Sequence, residues 1–318
     1  MATQAKPAPP KPKGQSQGRK SKTCRRCQWS VRHGTHGPAD PRRGNGLPIV
    51  SDTREPTPLL ALPDSFDRSG LLSGADLALI REGLPQITGW LIEEAALFTT
   101  YLMNLQLALG LQGPALEFGV YYGKYLYVLL HSELKRDGWV GGYDLFEHNQ
   151  TETVWRQSED LFGSRERLAL WRENTGRLDA GTVLSHIGFK PRFVSVDGDH
   201  TPEGSRHDLH LASEVMLDEG IIAADDVFNV NAIGVSEGFY RFLLDPACDI
   251  VPFAYIANKM FLARRKHHGF YFDQCLRIVD DFPDLRLSEA FQATKRNNPG
   301  AIVQSLLGEK VVVFTGPW

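Results

Sequence analysis

The clearest alternation of apolar and polar segments in this chain begins at Ala115. A short apolar run, Ala115 to Val120, reads as a buried strand, and Lys124 to Arg136 continues as a helix after a turn holding Gly119 and Gly123. Further apolar runs predict strands at Trp139–Leu145, Leu168–Arg172, Arg192–Val196 and Gly220–Ala224, with a helix at His207–Leu217. Asp249–Tyr255 and Met260–Ala263 read as a sixth strand with its continuation, or as a short hairpin, and Lys310–Thr315 as the last strand. Upstream, Trp90, Leu91, Ala95, Leu97, Phe98, Leu102, Leu105 and Leu109 recur at mostly three- and four-residue intervals, predicting one long helix within 83–110 beside or over a ligand pocket. Strands alternating with helices imply a doubly wound, mostly parallel sheet with helices on both faces. The expectation is a Rossmann-like α/β fold of seven strands with a helical N-terminal extension.

Residues 1–46 break this pattern. They are rich in Pro, Gly, Lys and Arg, and cannot bury enough apolar surface to offset the entropy of ordering. They are expected to be a disordered basic tail, followed by a domain over 47–318 whose helical lead-in or lid spans 47–110 and whose core spans 111–318. The tail holds 11 Lys/Arg and one acid, Asp40, for a net +10, against a net −13 for the remainder. The acidic body gives no reason to expect nucleic acid at a site; only the tail offers it a charge contact. Cys24 and Cys27, with His33 and His36, match a small zinc knuckle, but incidental residues in a basic tail explain them more simply. No apolar run spans a bilayer, and four cysteines make no disulfide framework, so a cytoplasmic protein is expected. A homodimer is compatible with the sequence.

Ligands of open α/β sheets bind at the carboxyl ends of the strands. The polar residues there are Glu117, Gly119 and Gly123 with the first strand; Asp144, Phe146 and Glu147 with the second; Glu173, Asn174 and Thr175 with the third; Asp197-Gly-Asp-His200 with the fourth; and Asp225-Asp226 with the fifth. A carboxylate at the end of the second strand, Asp144, accepts vicinal ribose hydroxyls well. Asn174 and Thr175 lie where an adenine edge would approach. Asp197, Asp225 and Asp226 converge if strands four and five are neighbours, and converging carboxylates call for a hard cation such as Mg²⁺. The alternative is that Asp225 caps the next segment while Asp197 and Asp199 face solvent.

Leu116-Glu-Phe-Gly-Val-Tyr-Tyr-Gly-Lys124 carries Glu-x-Gly-x-x-x-Gly rather than the dinucleotide G-x-G-x-x-G, and it resembles the first motif of class I S-adenosylmethionine (SAM)-dependent methyltransferases. Gly142-Tyr-Asp-Leu-Phe-Glu147, Asp197-Gly-Asp-His200 and Leu217 to Asp226 are similar to motifs of bacterial macrolide-sugar O-methyltransferases and, more distantly, of catechol-type O-methyltransferases. The resemblance covers roughly residues 84–318. It implies SAM as cofactor, held by Glu117, Gly119, Tyr121, Gly123, Asp144, Phe146, Asn174, Thr175 and Asp197, and Mg²⁺ held by Asp197, Asp225 and Asp226. It also implies a hydroxyl acceptor, sugar or phenolic. Tyr125 departs from the family's usual Ser, which puts one contact to the methionine end in question. By the same resemblance His200 stands where catechol-type enzymes carry a catalytic Lys. An imidazole titrates near neutrality and suits a base; otherwise His200 caps the following helix or orients Asp197. Asp199 is the next candidate base, and His207 and His210 are expected to face solvent. Acceptor recognition is expected from 228–238 and from the segment around Trp90. N-methylation on the same fold, or a SAM-binding protein without turnover, are the alternative functions.

Overall fold

The computed structural model describes residues 60–63 and 65–314. The tail, with Cys24, Cys27, His33 and His36, lies outside the described residues. Among the described residues nine strands form one sheet: β1 (Ala115–Phe118), β2 (Val140–Asp144), β3 (Leu168–Arg172), β4 (Phe193–Val196), β5 (Ile221–Ala224), β6 (Ile250–Ile256), β7 (Lys259–Arg264), β8 (Val303–Leu306) and β9 (Glu309–Phe314). Their spatial order is β3-β2-β1-β4-β5-β7-β6-β9-β8. The first five run parallel, β7 is antiparallel to β5 and β6, β6 and β9 are parallel, and β8 returns antiparallel to β9.

Nine strands replace the expected seven for two reasons. The apolar run 249–263 folds as a hairpin, because Ala257 and Asn258 both adopt positive φ at its tip, as a tight two-residue turn requires. β8 is a short polar edge strand, Val-Gln-Ser-Leu, with no burial on which a pattern could form.

The helices are α1 (Gly74–Ala78), α2 (Glu93–Ala108), α3 (Lys124–Leu134), α4 (Thr151–Phe162), α5 (Ala180–Ile187), α6 (Pro202–Val215), α7 (Ile233–Leu243), α8 (His268–Asp281) and α9 (Arg286–Asn297). Alternate strand residues feed two cores. Ala115, Val140, Phe193, Ala223 and Phe261 face α2, α3, α8 and α9, while Leu116, Phe118, Val194, Ile222 and Leu262 face α5, α6 and α7. The period-two alternation of a strand thus supplies both layers.

The long N-terminal helix is shorter than predicted. Pro85 and the positive φ of Gly89 keep 84–92 out of it, and α2 starts at Glu93. Every residue from Glu94 to Gln106 is buried, so α2 is a core helix rather than a lid. α6 starts earlier than predicted, since Thr201 accepts the Gly204 N–H as cap and Pro202 follows at the first helical position.

Beneath the sheet, α1 and α3 are tied by a buried carboxylate. Asp76 meets His131 Nε2 at 2.9 Å and Lys135 Nζ at 2.7 Å, and accepts the Ser73 N–H and hydroxyl. Burial works to raise its pKa, but these hydrogen bonds prevail and hold it well below the usual carboxylate range.

Candidate functional site

The strand order reverses between β1 and β4, so the carboxyl ends of these two strands open the crevice where an α/β sheet takes its ligand. Gly119 lies at its floor with φ +86°. A Cβ there would stand 1.9 Å from the Asp197 carbonyl oxygen, so glycine is required where β1 and β4 diverge. Gly123, also left-handed, ends the turn and begins α3 without any side-chain cap.

Asp144 closes this turn from β2. Its Oδ2 accepts the Val120 and Tyr121 N–H groups, both at 2.8 Å, and its Oδ1 accepts the Phe146 N–H at 2.6 Å. The residue expected as a ribose acceptor is therefore first the clamp that shapes the glycine turn. Phe146 adopts positive φ and is fully buried in the core.

Glu117 is 2% exposed on β1. Its Oε1 accepts the Ser195 hydroxyl at 3.4 Å, and its Oε2 has no hydrogen-bond partner among the described residues. Burial, reinforced by the charge of Asp197, pushes this carboxyl well above its usual range. An orphaned buried acceptor is costly unless a ligand meets it.

At the ends of β4 and β5, Asp197, His200 and Asp226 offer three ligand atoms within 4.8 Å of one another. His200 Nε2 is 3.5 Å from Asp197 Oδ1 and 3.5 Å from Asp226 Oδ2. The hydrogen bond to Asp197 raises the imidazole's pKa above its ordinary value, and burial opposes that. Burial, then the charge of Asp225, push Asp197 up to about 7. Asp226 holds positive φ, and its Oδ1 accepts the Asn229 side-chain amide at 2.6 Å, which leaves Oδ2 toward His200.

Asp225 departs from the expected ligand set. Its Oδ2 accepts Lys259 Nζ at 2.5 Å and its Oδ1 accepts the Asp226 N–H at 2.9 Å. Lys259 is 3% exposed and stands 4.1 Å over the Tyr125 ring. Burial disfavours the ammonium, yet the neighbouring Asp225 outweighs it and holds the lysine pKa above its ordinary value. The positive charge that three converging acids require is thus partly supplied by the chain itself. Tyr125, the departure from the family's Ser, is the ring under this lysine, and its hydroxyl pairs with Thr99 Oγ1 at 2.7 Å.

Asp199 is exposed, and its carboxylate accepts the Thr201 N–H at the start of α6. In the structure it caps the turn that starts α6. Asn174 is likewise exposed and caps the Gly176 N–H, while Thr175 is buried and donates to Asp208 on α6. His207 and His210 are half-buried rather than fully solvent-facing: His207 Nε2 contacts the carbonyls of Thr175 and Leu178, and the His210 ring packs edge-on against Phe242.

Two exposed apolar walls flank the crevice. On one side Trp90, 91% exposed, stacks on Tyr121 in the glycine turn, and Lys124 Nζ ties this segment down through the Gly89 carbonyl. Trp90 lies in the loop before α2, not on the helix. On the other side Phe228, Val230 and Ile233 are exposed after β5, while Phe239 is buried core and Tyr240 packs against Phe228.

Residues 116–227, which hold the glycine turn, Asp144 and both acidic clusters, match a family model described as a methyltransferase domain. No curated protein matches the chain by sequence. Among solved structures, the domain is similar to that of CalS11, described as a TDP-rhamnose 3'-O-methyltransferase of calicheamicin biosynthesis, at 15% identity over 64% of this chain and 96% of that one, with TM-score 0.43. It is also similar to the MycE methyltransferase of the mycinamycin pathway, in complex with Mg and SAH, at 17% identity over 59% of this chain and 54% of that one, with TM-score 0.43. A putative O-methyltransferase from Klebsiella pneumoniae is similar at 17% identity over 64% of this chain and 91% of that one, with TM-score 0.43. Among the described residues no helix is long and apolar enough to cross a membrane.

Lys259 is the residue that sequence reasoning missed. It opens an otherwise apolar run, Lys-Met-Phe-Leu-Ala, and reads as the polar flank of a strand. The signal lay in the hairpin. Ala224 pairs with Met260 across the antiparallel β5–β7 ladder, so the next position sets Asp225 opposite Lys259.

Proposed function

We propose that the domain transfers the methyl group of SAM to a hydroxyl oxygen of a small molecule or glycan, sugar or phenolic, with a divalent cation, Mg²⁺, beside the acceptor. The observation that carries this reading is the grouping of Asp197, His200 and Asp226 at the mouth of the crevice. It adjoins a glycine turn floored by a buried carboxylate with one unpartnered oxygen.

The residues present fit the cofactor. Glu117 Oε2 is a buried acceptor suited to its ammonium group. The uncapped N-terminus of α3 after Gly123 offers free N–H groups to its carboxylate. Asp144 has accepted three N–H bonds of the roughly four that a carboxylate can take, which leaves room for one ribose hydroxyl. The exposed Asn174 amide serves the adenine edge, with Tyr121 above the turn and Phe146 and Thr175 shaping the walls.

When bound, the sulfonium supplies an electrophilic methyl carbon and the cation supplies charge stabilisation at the acceptor oxygen. Asp197 and Asp226 hold the cation. His200, half-exposed and only loosely held by the two carboxylates, takes the acceptor's proton at Nε2. Trp90 with Tyr121, and Phe228 with Val230, orient an acceptor having an apolar face and exclude water from the line of attack.

The full chain incubated with methyl-labelled SAM and a panel of glycosides and phenols tests this reading. Label transferred to oxygen with Mg²⁺, and lost in excess chelator, is the expected result. Transfer that ignores chelator, or that goes only to nitrogen, overturns it.

A further inference from the structure

We propose that Lys259 is a built-in counter-ion that removes Asp225 from the cation site, so that the cation is held by Asp197 and Asp226 without the third carboxylate. This rests on the reading that a cation binds at the ends of β4 and β5.

Three observations fix the lysine in that role. The hairpin register delivers it opposite Asp225. Its ammonium is 2.5 Å from Asp225 Oδ2 and 4.1 Å above the Tyr125 ring, which is itself held by Thr99. It is 3% exposed, so it cannot swing into solvent as a surface lysine does. Moving it aside would leave a buried charge unpaired, which is strongly unfavourable.

Both oxygens of Asp225 are engaged within the protein. One takes the lysine and the other takes the Asp226 N–H. Asp226 contrasts with it: one oxygen is tied by Asn229 and the other faces His200 Nε2 at 3.5 Å. Asp197, the remaining carboxylate, faces the same imidazole. Two carboxylates suffice for a hard cation of the Mg²⁺ type, which keeps several waters and is usually held by one or two protein carboxylates. Such a site leaves coordination positions for an acceptor oxygen, whereas a third carboxylate would add charge and fill one of them. The chain's own cation therefore sets both the charge of the site and its openness.

Mn²⁺ titration of the full chain, read by the paramagnetic resonance of free Mn²⁺, tests this directly. In wild type one ion binds. The double variant Lys259→Met/Asp225→Asn removes both members of the pair and is expected to bind Mn²⁺ within about threefold of wild type. Asp226→Asn is expected to lose at least tenfold. Lys259→Met alone releases Asp225 into the site and is expected to bind Mn²⁺ about tenfold more tightly. If Lys259→Met does not fold, the double variant decides. A double variant that loses Mn²⁺ as severely as Asp226→Asn, beside a wild type that binds, overturns the counter-ion role and leaves the cation site standing. A wild type that binds no Mn²⁺ while still binding SAM overturns both.

Discussion

Asp144 and Tyr121 are joined by a 2.8 Å hydrogen bond from the Tyr121 N–H to Asp144 Oδ2, and the same oxygen takes the Val120 N–H. The second strand therefore holds the loop of the first in shape before any ligand arrives. This is preorganisation, since the ordering of 120–123 is met by protein contacts rather than by the ligand.

Asp144→Ala is expected to do two things. Three backbone donors lose their acceptor, which costs about 1–3 kcal/mol for each one left buried and unmet. Urea denaturation should show the loss of stability, and calorimetry with SAM a weakened affinity. Asp144→Asn, which keeps one acceptor oxygen, should retain more of both. A variant with unchanged stability and affinity would show that the loop holds itself.

Gly119→Ala places a methyl group 1.9 Å from the Asp197 carbonyl, at a φ that L-residues avoid. Backbone strain alone costs about 1–3 kcal/mol. The clash adds to it by prying β1 from β4. The expected outcome is a lower Tm together with loss of SAM binding, because the floor of the crevice moves. Thermal unfolding of the variant with and without SAM checks both.

His200→Ala is expected to lose rate by roughly 10²–10⁴-fold, as for a positioned general base, while SAM still binds. The wild-type rate should fall with acid, since a protonated imidazole cannot accept a proton. The hydrogen bond to Asp197 raises the His200 pKa above the ordinary imidazole value of about 6.5 in the metal-free protein. Bound cation, neutralising the carboxylates, should move it back down. A pH–rate profile unchanged in the variant would place the base elsewhere.

Asp76 links α1 to α3 and reports on acid stability. Its folded pKa lies below the unfolded value, so its contribution is present above the unfolded pKa of about 3.9 and is lost as pH falls from there toward the folded value. Removing one partner of a buried charged cluster costs about 3–5 kcal/mol. Asp76→Asn should therefore be destabilised at pH 7, with the gap to wild type narrowing below about pH 4. Urea denaturation at pH 7 and pH 3 measures it, and an equal gap at both would remove Asp76 from the account of acid stability.

Much of this fold was legible in the chain because buried parallel strands are written as continuous apolar runs. β3 was read to the residue, and β1, β2, β4 and β5 to within two residues at either end. The edge was not legible. β8 is four largely exposed residues, and nothing in Val-Gln-Ser-Leu distinguishes a strand from a loop. The site divides in the same way. Glu117, Gly119, Asp144, Asp197 and Asp226 stand at strand ends, where topology alone assigns ligands. Lys259 comes from a strand that runs the other way, so its amino end, not its carboxyl end, reaches the crevice. Asp199, Asn174 and Thr175 have the right positions, but their side chains turn to backbone caps and to Asp208, choices that local hydrogen bonding makes and spacing does not encode.

Calorimetric titration of the full chain with SAM, in wild type and in Glu117→Gln, tests the methyltransferase reading most directly. Glu117 Oε2 is a buried acceptor with no hydrogen-bond partner among the described residues, so the wild type should bind one SAM with saturable heat, and Glu117→Gln, folded and of similar Tm, should bind at least tenfold more weakly. No saturable heat in wild type, or equal affinity in the two proteins, would contradict it.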